Sequence, residues 1–373
     1  MLLRRPARSL VSLVPSGAAL LLLLAGSGCS TRVEIAHAGG EIDPGNDVDD
    51  VSTPLIARVS SKWGHVCSID ATSHLRCWGQ NLAGELGVPG AAAFEPAPLA
   101  VDPEHTYREV CAGVGTTCAI RSEGALFCWG RNHGGPLATL DTDARSEPVQ
   151  IGEDEDWESV SIGSGLACGI RAGGRMFCWG SQDFGWVAQP PLSPDALLAP
   201  TLIEGTWVAV SAHWYLTVAV RDDGSLWVSD NDGAFTKVEG FSGKAREISV
   251  GVLHAMVVDE EGALFHLDFS EGSTVVTASS PMPGVPFDGA AGSAYGSCAI
   301  SADRRMYCTE DPAYEAPELA PLGAEEPRWT SVGVGNRYGC GAAEDGSIWC
   351  WGRLHSYSET PSVEYGEAPV RVE

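Results

Sequence analysis

The sequence predicts an all-β chain that folds as a seven-bladed β-propeller with disulfide-stapled blade hairpins. Two observations lead to this prediction. One stretch, clearest over residues 118–130, recurs seven times, and cysteines stand at both of its ends in five copies. Each copy also brings short alternating runs of apolar and polar residues between turn residues, which is typical of four-stranded propeller blades.

The first 29 residues are typical of an export signal. Three arginines precede an apolar run over residues 18–25, which is too short to span a bilayer permanently. The segment ends Leu-Ala-Gly-Ser-Gly-Cys and resembles a bacterial lipobox. That resemblance implies lipid attachment at Cys29 and a place at the cell envelope, on the outer membrane. A plain secretory signal, cleaved nearby and followed by free secretion, is the alternative.

Residues 30–53 form the second region, which is polar and rich in glycine and aspartate. Because it has no apolar periodicity, we expect a flexible acidic linker. The whole chain has a formal net charge of −26, so it repels phosphate backbones and disfavours nucleic acid as a partner. Residues 54–373 contain the repeats and form the predicted propeller.

The repeats keep the length of one hairpin fixed while their connections vary. The distance between successive copies is 51, 50, 50, 38, 42 and 42 residues. The two ends of the hairpin, ten residues apart, are Cys67 and Cys77, Cys118 and Cys128, Cys168 and Cys178, Val218 and Val228, Met256 and His266, Cys298 and Cys308, and Cys340 and Cys350. A structural unit with free connections is expected to vary in this way.

The hairpin geometry predicts that its two end positions face each other. If the Ser-Glu-Gly turn of the second copy is a three-residue loop, Arg121 pairs with Ala125 and Gly124 takes a left-handed conformation. Counting outward then places Cys118 opposite Cys128, where Cα atoms lie about 4.5 Å apart. A disulfide tolerates that separation.

Cysteine is present at both hairpin ends or at neither, as bonded partners require. A zinc site would need Cys-x2-Cys or a four-ligand Cys/His set, and the sequence has neither. Export also favours oxidation. We therefore predict five disulfides: Cys67–Cys77, Cys118–Cys128, Cys168–Cys178, Cys298–Cys308 and Cys340–Cys350. Cys111, which aligns with Ser161 in a strand, is predicted to be a buried free thiol.

The end of the chain suggests how the ring closes. Residues 369–372 resemble the short strand at residues 148–151, yet no further copy follows them. We predict that this terminal strand pairs beside the first one, near Ile56, and so removes a free sheet edge.

The repeat has a wider motif, Trp-x-x-Val-x-x-Gly followed by Cys-x9-Cys-Trp-Gly. In the first copy it continues as Gln-Asn-Leu-Ala-Gly-Glu-Leu-Gly over residues 80–87. These motifs resemble the regulator of chromosome condensation repeat family over residues 54–373. The resemblance implies a seven-bladed propeller that presents loops and a broad face to partners. Copies four to six lack the Trp-Gly pair.

No catalytic motif is visible: the sequence lacks a Gly-x-Ser-x-Gly elbow, a phosphate-binding glycine loop and His-Glu-x-x-His. We predict a non-enzymatic envelope lipoprotein without cofactor or metal, which binds a protein or cell-surface glycan through blade loops. The expected contact surfaces are residues 88–102, 131–152 and 181–200, with Phe184 and Trp186 as exposed anchors. The alternative is a hydrolase or lyase with carboxylates gathered at the central channel.

Overall fold

The computed structural model shows seven antiparallel sheets, one for each predicted blade, of which six have four strands and one has five. It describes residues 31–32, 57–180, 198–213, 216–229, 235–252, 254–269, 277–293, 296–309, 319–323, 327–355 and 361–372. Every regular element longer than one residue in these ranges is a strand, which confirms the all-β propeller. In the part of the chain that the structure describes, no helix is long and apolar enough to cross a membrane.

Each blade consists of four strands that are consecutive in the chain. Blade 1 contains β2 (Arg58–Lys62), β3 (His65–Ile69), β4 (Leu75–Gln80) and β5 (Phe94–Val101). Blade 2 contains β6 (Tyr107–Ala112), β7 (Thr116–Arg121), β8 (Leu126–Gly130) and β9 (Arg145–Gln150). Blade 3 contains β10 (Trp157–Ile162), β11 (Leu166–Arg171), β12 (Arg175–Gly180) and β13 (Thr201–Ile203).

The remaining four blades repeat this order. Blade 4 contains β14 (Trp207–Ala212), β15 (Thr217–Arg221), β16 (Leu226–Ser229) and β17 (Phe235–Lys237). Blade 5 contains β18 (Ala245–Val250), β19 (His254–Asp259), β20 (Leu264–Asp268) and β21 (Thr277–Ser279). Blade 6 contains β22 (Phe287–Gly292), β23 (Ser297–Ser301), β24 (Met306–Thr309) and β25 (Leu319–Pro321). Blade 7 contains β26 (Trp329–Val334), β27 (Tyr338–Ala343), β28 (Ile348–His355) and β29 (Ser362–Arg371).

The first strand of every blade lines the central channel, because each first strand lies beside the first strands of both neighbouring blades. Blade 5 has a fifth strand, β1 (Thr31–Arg32), which pairs antiparallel with the channel-side edge of β18. Two residues of the predicted linker therefore lie in the channel. The flexible character of residues 30–53 as a whole stays a prediction.

The hairpin prediction is confirmed in register and in turn geometry. The Arg121 amide donates to Ala125 O at 2.9 Å, and Gly124 has φ +102°. Cys118 lies opposite Cys128 with 4.1 Å between their Cα atoms. All five predicted disulfides are present. In blades 4 and 5 the same position is filled by facing pairs, Val218 with Val228 and Met256 with His266.

The prediction for ring closure is wrong. β29 pairs with β28 as the outermost strand of blade 7, and among the described residues no strand pairing joins blades 1 and 7. Side chains join these blades instead. The Val59 amide donates to Ser331 Oγ at 3.0 Å, and Tyr338 Oη donates to His65 O at 2.7 Å. The ring closes without a shared sheet.

Similar side-chain bonds join the first strands around most of the ring. Seven residues before the first hairpin end of a blade, a Ser or Cys side chain accepts a hydrogen bond from an amide of the following blade's first strand. The acceptors are Ser60, Cys111, Ser161, Ser211 and Ser249, with donors Ala112, Ile162, Ala212, Val250 and Gly292 at 2.8–3.2 Å. These bonds satisfy amides on strand edges that have no further strand to pair with.

Candidate interaction surfaces

The propeller has two faces, which differ in the connections that they expose. We call the side of the second-to-third strand hairpins the turn face, and the opposite side the loop face. On the turn face the hairpins of blades 1 to 6 each accept a hydrogen bond from the start of the next blade, as where the Trp157 amide donates to Gly124 O at 3.1 Å. Third strands run from the turn face to the loop face, so the connections after β4 and β8 lie on the loop face.

The loops after β4 and β8 have the same internal construction. Asn81 Oδ1 accepts from the Leu86 amide at 3.1 Å, and Asn132 Oδ1 accepts from the Leu137 amide at 3.0 Å. Both leucines are buried beneath their loops. The side-chain amides of the same asparagines also donate to backbone carbonyls at the far end of each loop. Both loops are thus held in defined shapes.

Each of these loops also packs on a tryptophan of the next blade, the one directly after the second hairpin cysteine. Trp129 Nε1 donates to Glu85 O at 2.9 Å, and Trp179 Nε1 donates to Pro136 O at 2.8 Å. At Gly87 (φ +70°) a Cβ would lie 2.7 Å from Trp129 Nε1, so only glycine fits there. The Trp-Gly and Gly-x-Leu-Gly parts of the motif therefore form one contact between blades.

The surfaces of these ordered loops expose leucine. Leu140 is 72% exposed and has φ +62°, and Leu82 is 54% exposed. A left-handed backbone at a large non-glycine residue costs about 1–2 kcal/mol. The sequence analysis selected residues 131–152 but did not distinguish Leu140. Within the predicted contact ranges, residues 94–101 and 145–150 are outer strands, not loop.

The channel mouth on the loop face is closed by a lysine from blade 1. Lys62 Nζ donates to Ala212 O at 3.0 Å and to Ile162 O at 3.4 Å, and so crosses to blades 3 and 4. Only 5% of the residue is exposed, and burial lowers the pKa of Lys62 to about 7. Four other blades have glycine at the repeat position of Lys62: Gly113, Gly163, Gly251 and Gly335.

Two buried carboxylates of the first strands have structural partners. Glu109 Oε1 accepts from the Val160 amide at 2.8 Å, and Glu247 Oε1 accepts from the Ala290 amide at 3.3 Å. Burial raises the pKa of Glu109 to about 7. Each carboxylate therefore joins its own blade to the next. Among the described residues no cluster of three or more His, Cys, Asp or Glu could hold a metal ion.

The remaining site predictions have mixed outcomes. Cys29, Phe184 and Trp186 lie outside the described residues, so lipid attachment and the aromatic anchors stay predictions. The free-thiol prediction for Cys111 is wrong. Cys111 is fully buried as expected, but it is disulfide-bonded.

Comparison with known proteins agrees with this architecture. Residues 107–135, which include most of blade 2, match the family model of the Regulator of chromosome condensation (RCC1) repeat. The match covers one of the seven repeats. The chain is 28% identical over 104 residues to the probable E3 ubiquitin-protein ligase HERC4 of Rattus norvegicus, covering 27% of this chain. It spans only 10% of that relative's length.

Solved structures share the fold at low identity. Human WBSCR16 superimposes with a TM-score of 0.67 at 15% identity, covering 80% of this chain and 94% of that one. Prp20p of Saccharomyces cerevisiae, described with its binding properties to Gsp1p and histones, gives 0.50 at 17% identity, covering 85% and 77%. These similarities concern the propeller fold alone.

Proposed function

We propose that this chain is a non-enzymatic binding scaffold that engages a protein partner through the loop face of blades 1 and 2. The observation behind the proposal is Leu140, an exposed leucine in a left-handed conformation on a loop fixed by Asn132. Backbone strain persists only where the surroundings impose it, and it is concentrated at functional sites. An exposed aliphatic side chain on a rigid loop loses little conformational entropy when a partner covers it.

The central channel favours binding over catalysis. In the alternative enzyme, carboxylates would converge in a funnel open to substrate. Instead, Lys62 spans the loop-face mouth, β1 occupies the edge of β18, and the buried carboxylates of Glu109 and Glu247 accept backbone amides. Binding by Prp20p to Gsp1p and histones supports a protein partner for such a propeller. The acidic charge of this chain disfavours nucleic acid.

The experiment is capture of envelope proteins on the immobilised chain, with Leu82→Ser and Leu140→Ser combined in one variant. Covering an exposed leucine is worth about 1.5–3 kcal/mol, so we expect at least about tenfold weaker retention of a specific partner. Leu202→Ser is the matched control, since Leu202 lies on β13 of blade 3 and is also 54% exposed. A partner retained equally by all three proteins, or a glycan retained without any protein, would refute the proposal.

We also propose that the protein is exported and attached to the outer membrane by lipid on Cys29. Labelled palmitate should enter the wild type and not Cys29→Ser. Absence of label from the wild type would refute the lipid anchor.

A further inference from the structure

The turn face contains one guanidinium that differs from its two counterparts. Three blades have arginine three residues after the first hairpin position: Arg121 in blade 2, Arg171 in blade 3 and Arg221 in blade 4. Each guanidinium stacks on aromatic rings of its own blade. Arg121 Cζ lies 3.9 Å from the Phe127 centroid, and Arg221 Cζ lies 3.9 Å from the Trp227 centroid.

In blades 2 and 3 the chain supplies carboxylates to this arginine. Arg121 Nη2 lies 2.6 Å from Asp102 Oδ2. Arg171 pairs with two aspartates, through Nη2 to Asp154 Oδ1 at 2.5 Å and through Nε to Asp156 Oδ1 at 2.5 Å. Both arginines are thereby neutralised within the segment that precedes the first strand of the blade.

In blade 4 that segment supplies no such partner. The residue equivalent to Asp156 is Thr206, and the one before it is Gly205. Among the described residues no carboxylate lies within ion-pair distance of Arg221, and its buried Nε has no hydrogen-bond partner. A buried donor without an acceptor is unfavourable, because it has lost its hydrogen bond to water.

A second donor points to the same place. A Cβ built on Gly205 would lie 3.2 Å from Arg221 Nη2 and 3.2 Å from Trp207 Nε1. Trp207 is fully buried, and its Nε1 has no hydrogen-bond partner. The equivalent indole nitrogen of Trp157 also lacks a partner, so Arg221 is what distinguishes blade 4.

The nearby acidic side chains, Asp223 and Glu204, do not pair with the Arg221 guanidinium. Asp223 lies close enough for Arg221 to lower its pKa, but hydrogen bonds from Ser225 are the larger cause. Asp223 Oδ1 accepts from the Ser225 amide at 2.9 Å and from its hydroxyl at 2.5 Å. Glu204 is exposed, and no ion pair joins it to Arg221 in the described structure. The net charge of −26 is screened beyond about 8 Å at physiological ionic strength.

We propose that Arg221, with Gly205 and Trp207, forms a carboxylate-binding site on the turn face of blade 4. Its ligand is an aspartate or glutamate side chain of a partner protein, which takes the place that Asp156 takes beside Arg171. Guanidinium binds carboxylate through two parallel N–H···O bonds, and the stacked tryptophan holds the guanidinium in place beforehand.

The test is NMR of the arginine Nε–Hε groups during titration with capped aspartate, with capped asparagine as the uncharged control. Arg221→Lys assigns the signal. We expect a saturable shift of the Arg221 signal alone, with a Kd on the order of 1–10 mM. Thr206→Asp should abolish the shift by supplying the carboxylate internally, whereas Thr206→Asn should retain it.

Four outcomes would overturn the proposal. These are no shift at Arg221, an equal response to capped asparagine, an equal response of Arg121 and Arg171, and an undiminished shift in Thr206→Asp. The titration is repeated with inorganic phosphate in place of capped aspartate. A saturable response to phosphate without one to capped aspartate would also refute a carboxylate site. Thermal unfolding of each variant, compared with the wild type, confirms that the responses come from folded protein.

Discussion

Two glycines at the same repeat position allow backbone strain and steric contact to be separated. Gly124 and Gly346 both end a hairpin turn with positive φ, +102° and +81°. Among the described residues, a Cβ at Gly346 would meet only Ala71 Cβ, at an ordinary 3.4 Å. A Cβ at Gly124 would lie too close to Glu155 O, in the backbone leading to blade 3. Within the described part of the chain, alanine is therefore strained at both positions and sterically blocked only at Gly124.

The expected magnitudes follow from these distances. In Gly346→Ala, left-handed strain of about 1–2 kcal/mol is offset by about 0.4–1 kcal/mol from the less flexible unfolded chain. The net destabilisation is about 0.5–1 kcal/mol. In Gly124→Ala, blade 3 must also move away, which adds about 1–3 kcal/mol typical of overpacking. We expect a total of about 2–4 kcal/mol.

Urea unfolding of both variants under oxidising conditions, monitored by tryptophan fluorescence, measures the difference. The slope of the transition should stay constant, so that the shift in midpoint reports stability alone. Equal losses in the two variants, or a smaller loss in Gly124→Ala, would refute the argument that the neighbouring backbone dictates glycine at this turn.

Three further predictions concern the same scaffold. Ser73 replaces the turn glycine in blade 1 with φ +66°, so Ser73→Gly should raise the free energy of unfolding by about 0.5–1 kcal/mol. Val218 faces Val228, so cysteines at both positions should form a sixth hairpin disulfide and add about 2–3 kcal/mol, with two more hydrogens gained on reduction. The pKa of Lys62 is about 7 when folded and near 10.4 when unfolded, so wild-type stability should rise between pH 7 and 10 relative to Lys62→Met.

Matched variants check each of these predictions. Ser73→Ala retains Cβ and should leave stability nearly unchanged, so an equal gain in alanine and glycine variants would contradict the turn argument. A single Val218→Cys variant cannot close a hairpin and should show no added hydrogens. For the lysine, the unfolded chain holds more protons in the stated window. A flat or falling stability difference between wild type and Lys62→Met over that window would contradict the buried-lysine argument.

The sequence was sufficient for the blade and its disulfides because these depend on short-range geometry. A hairpin with a three-residue turn fixes which residues face each other, so the pairing of Cys118 with Cys128 required no tertiary information. The number of blades followed from counting copies. The absence of both cysteines from copies four and five was equally informative, because Val218 faces Val228 and Met256 faces His266 at the same positions.

Ring closure was mispredicted because the terminal strand was compared with the wrong neighbour. The similar stretch at residues 148–151 overlaps β9, the outer strand of its own blade. That comparison already indicated an outer strand of blade 7, which is where β29 lies. Cys111 was misjudged for another reason. Its alignment with Ser161 correctly indicated a buried strand position, but no local pattern indicated that its sulfur is bonded.

The candidate surfaces were only partly predictable. The motif indicated ordered loops after β4, but exposure of Leu140 depends on how the loop folds around Asn132. Lys62 had a weak signal, because it stands where four other copies have glycine. Its contact with Ala212 across the channel depends on the ring as a whole. Arg221 stands out only when the residues around its counterparts in blades 2 and 3 are known.

Closure by side chains has a mechanical consequence. Each blade is a contiguous segment, so a force applied between residues 57 and 372 would separate blades 1 and 7 without unzipping a shared sheet. Blades could then detach one after another from either end. In an oxidised blade the cysteines ten residues apart would keep the hairpin closed and withhold about 30 Å of extension. Blades 4 and 5, which lack this cross-link, would extend over their whole length, whereas each stapled blade should release about 30 Å less than its own number of residues allows.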